Sequence, residues 1–485
     1  HKALVGGAAA VFVVLVAGIA VSTIFALGQA HTRAEAQLIA DFLEKDVLGS
    51  AALARADEAT VGYLLDTASK ILEGKFQDKP LIEASIRKTL AGTYRVLGET
   101  QKAEQQAVDA IRIYENHYGA DHSMTRGARA FLGWVYHDQG RYRDMEHIWT
   151  ENLEFRRHAS EVELQPGNAL GAAYWFVGKY EEAESVFDNL LRSVSSDPQA
   201  KKPALFPWYK CNLARVYSSQ GRYEAAERLY EDALYHTEWP QAYYSTSAQF
   251  VYTGELADTY RKRGRYDEAE ALFDRTSKEM RQFLGVKHLR TLACLCDLAR
   301  LYVERDRHEE AKALFNEAFP IARERLRFGH PLTLRFVNLY AVLRTKQQDY
   351  AQAETLFQEA LEGRQRELGD DHPETLQSLN DFGVLRREQQ CYEEAESLLR
   401  QAWDGTQHKL GPDHPACCES MHELGVLYMA QPRYKDAEPL LLDAFHGRET
   451  KLGSQHPHTV ESLKQLVTLY ESWTGPEEAA KWRAK

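Results

Sequence analysis

Apolar, small and aromatic residues return along most of this chain at one interval. Between Gly264 and Glu438 a seven-residue phrase is written five times, 42 residues apart: Gly264-Arg-Tyr-Asp-Glu-Ala-Glu270, Asp306-Arg-His-Glu-Glu-Ala-Lys312, Gln348-Asp-Tyr-Ala-Gln-Ala-Glu354, Gln390-Cys-Tyr-Glu-Glu-Ala-Glu396 and Pro432-Arg-Tyr-Lys-Asp-Ala-Glu438. With its third residue as an index, the equivalent positions are Thr100, Tyr142, Tyr180, Tyr223, Tyr266, His308, Tyr350, Tyr392, Tyr434 and Pro476. The residue ten before the index is usually Leu, as at Leu213, Leu256, Leu298 and Leu424, and the one after that is small, as at Gly171, Ala257, Gly383 and Gly425. Six before the index stands Tyr, except where Arg344 and Arg386 replace it. Three after it comes Ala, except at Met145, and seven after it usually an aromatic or leucine such as Phe187, Phe273, Phe357 or Leu441.

At 100° per residue the first three positions share one side of a helix, and the last two share one side of a second. The pattern therefore predicts two antiparallel helices per unit, with small residues letting the backbones approach and large ones filling the space between. A unit this small can bury its apolar face only against its neighbours, so about ten units are expected to stack from residue 80 to 485, the last incomplete.

A second element recurs between units. Leu368-Gly-Asp-Asp-His-Pro373 returns as Leu410-Gly-Pro-Asp-His-Pro415 and Leu452-Gly-Ser-Gln-His-Pro457, with weaker copies ending at His122, His288 and His330. Gly is expected to end one helix, while Asp, His and Pro start the next with a capping acceptor and a preset φ. Successive copies lie a whole unit apart, too far to share an ion, so no metal site is expected.

Ahead of the array the pattern changes. Residues 3–27 contain no charge and are dense in Val, Ala and Ile. At about 1.5 Å per residue they suffice to cross a hydrocarbon core of roughly 30 Å, which predicts a single transmembrane helix. The rival is a cleaved signal, with small Gly28 and Ala30 before His31. Residues 28–79 predict a helical stalk and a capping helix for the open end of the stack.

The formal net charge is −12, with no basic stripe, which argues against a nucleic-acid partner. The six cysteines form no Cys-x-x-Cys pair and no Cys/His ligand spacing, so neither zinc nor a disulfide framework is indicated. No Gly-x-Ser-x-Gly, phosphate-binding glycine loop or kinase signature occurs. No enzyme and no cofactor are expected. Positions twelve, eight and five before the index fall about a quarter turn from the packed face, on the inner side of the first helix. In the later units they supply the row Asn338, Asn380, His422 and Lys464 and beside it Val342, Val384 and Val426. Amides that donate and accept, next to an apolar floor, suit the backbone of an extended protein or peptide ligand. Equally, these side chains could satisfy neighbouring helices, since buried polar groups need partners in any stack.

Unit by unit, the Leu-Gly/Ala-x-x-Tyr and Ala-x-x-x-Phe spacing resembles the tetratricopeptide repeat, and the Leu-Gly-x-x-His-Pro element resembles its kinesin light chain variety. The resemblance implies an all-α, right-handed superhelical solenoid that binds proteins, and raises the expectation of a groove asparagine. The uncharged run, the segment Thr60-Val-Gly-Tyr-Leu-Leu-Asp-Thr-Ala, the stretch Gln77-Asp-Lys-Pro-Leu-Ile-Glu-Ala-Ser-Ile-Arg-Lys-Thr-Leu90 and the repeats together look like the C-terminal half of bacterial, planctomycete-type eukaryotic-like serine/threonine protein kinases. That likeness implies a sensing or partner-binding module anchored as a single-pass protein of the bacterial inner membrane, with the array extracytoplasmic. The alternative is a free-standing exported or soluble scaffold. Residues upstream of His1 would separate the two, and a piece of a longer protein is expected.

Overall fold

The computed structural model describes residues 42, 61–76, 78–154, 164–195, 206–237, 239, 243–474 and 476–484. Among them are twenty-one helices and no strand. The chain divides into two compact units, residues 1–161 and 162–485.

The first unit holds helix Val61–Lys75 and two helix pairs, Pro80–Leu97 with Thr100–Tyr118 and Ser123–Asp138 with Tyr142–Glu154. Their shared core gathers Leu64, Leu72, Leu90, Tyr94, Ala107, Tyr114 and Leu132. The second unit stacks eight pairs, from Leu164–Phe176 with Tyr180–Ser195 to Pro457–Trp473 with the short Pro476–Arg483. Each index residue opens the second helix of its pair, as the repeat spacing predicts.

The small-and-large rule has a direct geometric cause. A Cβ built on Gly425 would lie 2.7 Å from Leu441 Cγ, and one on Gly171 would lie 2.6 Å from Phe187 Cζ. The residue nine before the index is thus the socket for the residue seven after it. Ala226, Ala269, Ala311, Ala353, Ala395 and Ala437, three after the index, are all fully buried, where any larger side chain would push the paired helices apart.

Turns between units also follow the sequence, with one refinement. In all six copies the histidine itself is the capping acceptor: Nδ1 of His122, His288, His330, His372, His414 and His456 accepts the backbone N–H two residues on. Proline then fills the first helical position in the later copies, where the missing N–H costs nothing.

At the turn within several pairs, a guanidinium ties one unit to the next. Arg222, Arg265, Arg307 and Arg433, one residue before the index, lie over the rings of Tyr217, Tyr260, Tyr302 and Tyr428. Each also binds a carboxylate of the preceding unit: Glu184, Glu227, Glu270 and Glu396.

The expected membrane location is corrected. Among the described residues no helix is long and apolar enough to cross a membrane. The physical reason is visible in Thr100–Tyr118 and its equivalents, where ionised Lys, Glu, Asp and Arg occupy the face away from the core, and each would have to be stripped of water in a bilayer. The run at residues 3–27 and the stalk at 28–60, apart from residue 42, lie outside the described residues.

Candidate functional site

The inner side of the first helices is a chain of polar links from unit to unit. Arg215 binds Glu255 through both Nε and Nη2, at 2.5–3.0 Å. Arg261 Nη1 reaches Glu304 at 2.5 Å, Arg335 pairs with Asp297, Asn338 Nδ2 donates to Asp381 at 2.7 Å, and Arg387 pairs with Glu423. Each link joins one first helix to the next, so five consecutive junctions between helices Phe206–Ser219 and Pro415–Ala430 are tied in series. Burial pushes the Asp297 and Asp381 carboxyls up from their ordinary range. Burial would do the same to Glu423, but the Arg387 guanidinium outweighs it and holds that carboxyl below its usual value.

The predicted row Asn338, Asn380, His422 and Lys464 falls on this side, but its members live in different chemical states. Asn338 is only 6 % exposed. Besides donating to Asp381, its Oδ1 accepts from Ser378 Oγ at 2.7 Å, and that hydroxyl in turn accepts from Arg364 Nη1 at 2.7 Å. Two units on, the same relay is rebuilt with an imidazole: Arg448 Nη1 donates to Ser462 Oγ at 2.8 Å, which lies 3.2 Å from His422 Nδ1. Burial, followed by the nearby Arg448 charge, holds the His422 imidazole down to about 4.

The middle copy of the relay is broken. Where Arg364 and Arg448 stand in their units, this one has Thr406, whose hydroxyl turns back to Ala402 O and Trp403 O. Ser420 likewise bonds its own helix at Ala416 O. Asn380, 3 % exposed, is left with its Oδ1 buried and without a hydrogen-bond partner among the described residues. Two more groups on this side share that condition, Arg300 Nε, eight residues before its index, and Glu304 Oε2. Lys464, at the end of the row, is exposed.

The valines are not gathered into one floor. Val342 packs against the core around Phe357 and Val426 against that around Leu441, while Val384 is half-buried between those units. The relay's other members escaped the sequence reading, although a signal was present. Gly363-Arg364, Gly405-Thr406 and Gly447-Arg448 recur at the repeat interval, as do Ser378, Ser420 and Ser462.

Among the described residues no group of His, Cys, Asp and Glu could hold a metal ion, and burial raises the thiols of Cys211, Cys294, Cys296 and Cys418, which makes them inert.

Comparison with known proteins comes to the same array. A tetratricopeptide repeat family model matches residues 166–234, 249–324, 333–404 and 383–449, and a second tetratricopeptide repeat model matches 84–123. Two solved structures of the nearly identical tetratricopeptide-like repeats assigned to a kinesin light chain of Podosopora anserina are similar at 24 % identity, with TM-scores of 0.34 and 0.33, covering 42 % of this chain and 96 % and 97 % of theirs. A Rap protein complexed with Competence and Sporulation Factor is similar at 12 % identity and a TM-score of 0.47, over 74 % of this chain and 100 % of its own. No curated protein matches the chain.

Proposed function

Because the chain belongs to the tetratricopeptide repeat family, we propose that it is a protein–protein interaction scaffold that holds an extended segment of a partner along the inner side of its first helices. The fold is non-catalytic. Its stacked pairs offer surface and register, and the chemistry is recognition.

The observation that carries the reading is that Asn380 Oδ1 and Arg300 Nε, an acceptor and a donor on the inner side, are left without a hydrogen-bond partner among the described residues. The Arg215, Asn338 and Arg387 links on either side are closed by protein atoms, and an orphaned buried acceptor or donor costs free energy unless something supplies its complement. A peptide backbone supplies both, an N–H for the amide oxygen and a carbonyl for the guanidinium. In this reading Asn380 and Lys464 touch the ligand, Val342, Val384 and Val426 flank it, and Asn338 and His422 fix the helices that present them. Neither a kinase domain nor a membrane anchor is required, so the support favours the free-standing scaffold over the kinase-linked module.

The test is a panel of extended peptides titrated against wild type, Asn380→Ala and Arg300→Ala. Peptides that bind the wild type should lose roughly 1–3 kcal/mol of affinity with each variant, while the melting temperature of Asn380→Ala stays put. Full retention of every captured peptide by both variants would overturn the assignment.

A further inference from the structure

Three histidines of the later repeats do a second job. With Nδ1 accepting the cap N–H, the ring proton must sit on Nε2. Nε2 of His372, His414 and His456 then lies 3.2, 3.0 and 3.1 Å from the backbone oxygens of Phe176, Ser219 and Lys262. Those carbonyls belong to residues 196, 195 and 194 positions earlier. Each is the last residue of a first helix, where the carbonyl has no partner inside its own helix. The stack within residues 162–485 has therefore wound through one turn and met itself.

Glycine usage marks the same seam. A Cβ on Gly178, Gly221 or Gly264 would stand 3.0, 2.6 or 2.7 Å from Cδ of Pro373, Pro415 or Pro457. All three glycines occupy the left-handed turn two residues before the index, at φ 73°, 74° and 74°. Left-handed backbone alone does not explain them. At the same turn of the later units Asp306, Gln348 and Gln390 hold φ 54°, 64° and 62° with their side chains in place. Gly98 and Gly140 hold this turn in the first unit as well; within the second unit, glycine is present where a later proline presses on the turn, and side chains are present at the turns that follow.

We propose that this seam is a latch: the His–Pro loops of the 372, 414 and 456 copies lock the superhelix of the second unit closed, and releasing them lets it extend without unpairing any helix pair. The proposal does not depend on what the inner side binds. Separability follows from the contrast in what holds each level together. A pair is held by a buried core such as Ala395, Leu399, Leu424 and Leu441, whereas these rungs are neutral hydrogen bonds and proline-on-glycine contacts.

The decisive variant is His372→Asn/His414→Asn/His456→Asn in the full chain. Asparagine keeps a good capping acceptor but is too short to reach across the seam. His122→Asn, which changes the same cap in the first unit, is the control. Small-angle scattering should show a larger radius of gyration for the triple variant, with far-ultraviolet circular dichroism unchanged and the control superposing on wild type. Gly221→Ala should shift scattering the same way through the Pro415 contact. An unchanged scattering curve in both seam variants would overturn the latch. Loss of helix in the triple variant, with the control intact, would overturn its separability.

Discussion

Asn338 and Asn380 occupy equivalent positions one repeat apart, and their replacement by alanine should have unequal consequences for stability, a clear loss at Asn338 and little change at Asn380. Removing the Asn338 amide takes the acceptor from Ser378, a fully buried hydroxyl, and the donor at 2.7 Å from Asp381. A buried group left unsatisfied costs about 1–3 kcal/mol. Asp381 keeps its bond to Gln377 at 2.9 Å and is only half-buried, so its share belongs at the low end. The sum is about 2–4 kcal/mol. Asn380→Ala breaks no hydrogen bond through Oδ1 and removes an unsatisfied atom, which leaves roughly ±1 kcal/mol from packing. A repeat array need not unfold in one step, so a global midpoint does not say which helices a variant loosens. Hydrogen exchange is the better assay, because opening is read locally. Amides of helices Pro331–Lys346 and Pro373–Glu388 should exchange about 30-fold faster or more in Asn338→Ala, the factor that 2 kcal/mol represents, and near wild-type rate in Asn380→Ala. Equal protection in the two variants would refute the relay, and stronger deprotection from Asn380→Ala would reverse the assignment of structural and ligand-facing roles.

Acid should destabilise the second unit through its neutral histidines. Burial, chiefly, holds His414 and His456 down to about 4 and lowers His372, with Lys262 and Lys451 facing His414, His458 and Arg448 facing His456, and Arg364 and Lys409 facing His372. Their unfolded value is about 6.5, so between pH ~6.5 and ~4 the unfolded chain binds more protons and stability falls as pH falls, by at most about 1.4 kcal/mol per unit for each histidine. Glu374 beside His372 and Glu304 near His456 oppose the trend without reversing it. The wild-type melting temperature should drop more steeply from pH 7 to 5 than that of the triple Asn variant, and parallel curves would exclude the histidines. At the within-pair turns, a double-mutant cycle on Arg386 and Glu354, a two-pronged pair at 2.9 Å with the arginine 13 % exposed, should return about 1 kcal/mol of coupling. The cycle on Arg307 and Glu270, with the arginine 34 % exposed, should return less. The reverse order in thermal or denaturant unfolding would show that exposure does not set these pairs' worth.

How far the sequence could be read depended on the range of the interaction. Helix pairs were legible because the socket at Gly425 and its knob Leu441 lie within one repeat and recur at a fixed interval. Caps were legible for the same reason, although which residue of Leu410-Gly-Pro-Asp-His-Pro415 accepts, His414, was settled by the structure. Along the inner row, spacing could not distinguish Asn338 from Asn380, because their difference is made by a third residue elsewhere in the repeat, Arg364 in one case and Thr406 in the other. A pattern that looks only along one row sees two identical asparagines.

The two arginines that interrupt the tyrosine row show how such a departure becomes informative once geometry is known. Where Tyr gives way to Arg386, the residue before the index is Cys391 instead of Arg, and the usual Leu is Phe382. The guanidinium of Arg386 lies over the Phe382 ring, 4.8 Å from its centroid, and binds Glu354, which stands where Glu396 stands for Arg433. Charge, ring and carboxylate have all been kept while the positions that supply them moved. In the unit of Arg344 the carboxylate is absent, since Lys312 replaces it, and there the arginine keeps the ring and hydroxyl of Tyr340, a hydrogen bond to Gln347 and a long contact to Asp349. What repeats in this protein at the turns is thus a three-part contact between units rather than a residue at a position. The seam extends that logic: Gly221 and Pro415 are co-dependent although no local pattern joins them, because the stack must complete a turn before the two residues meet.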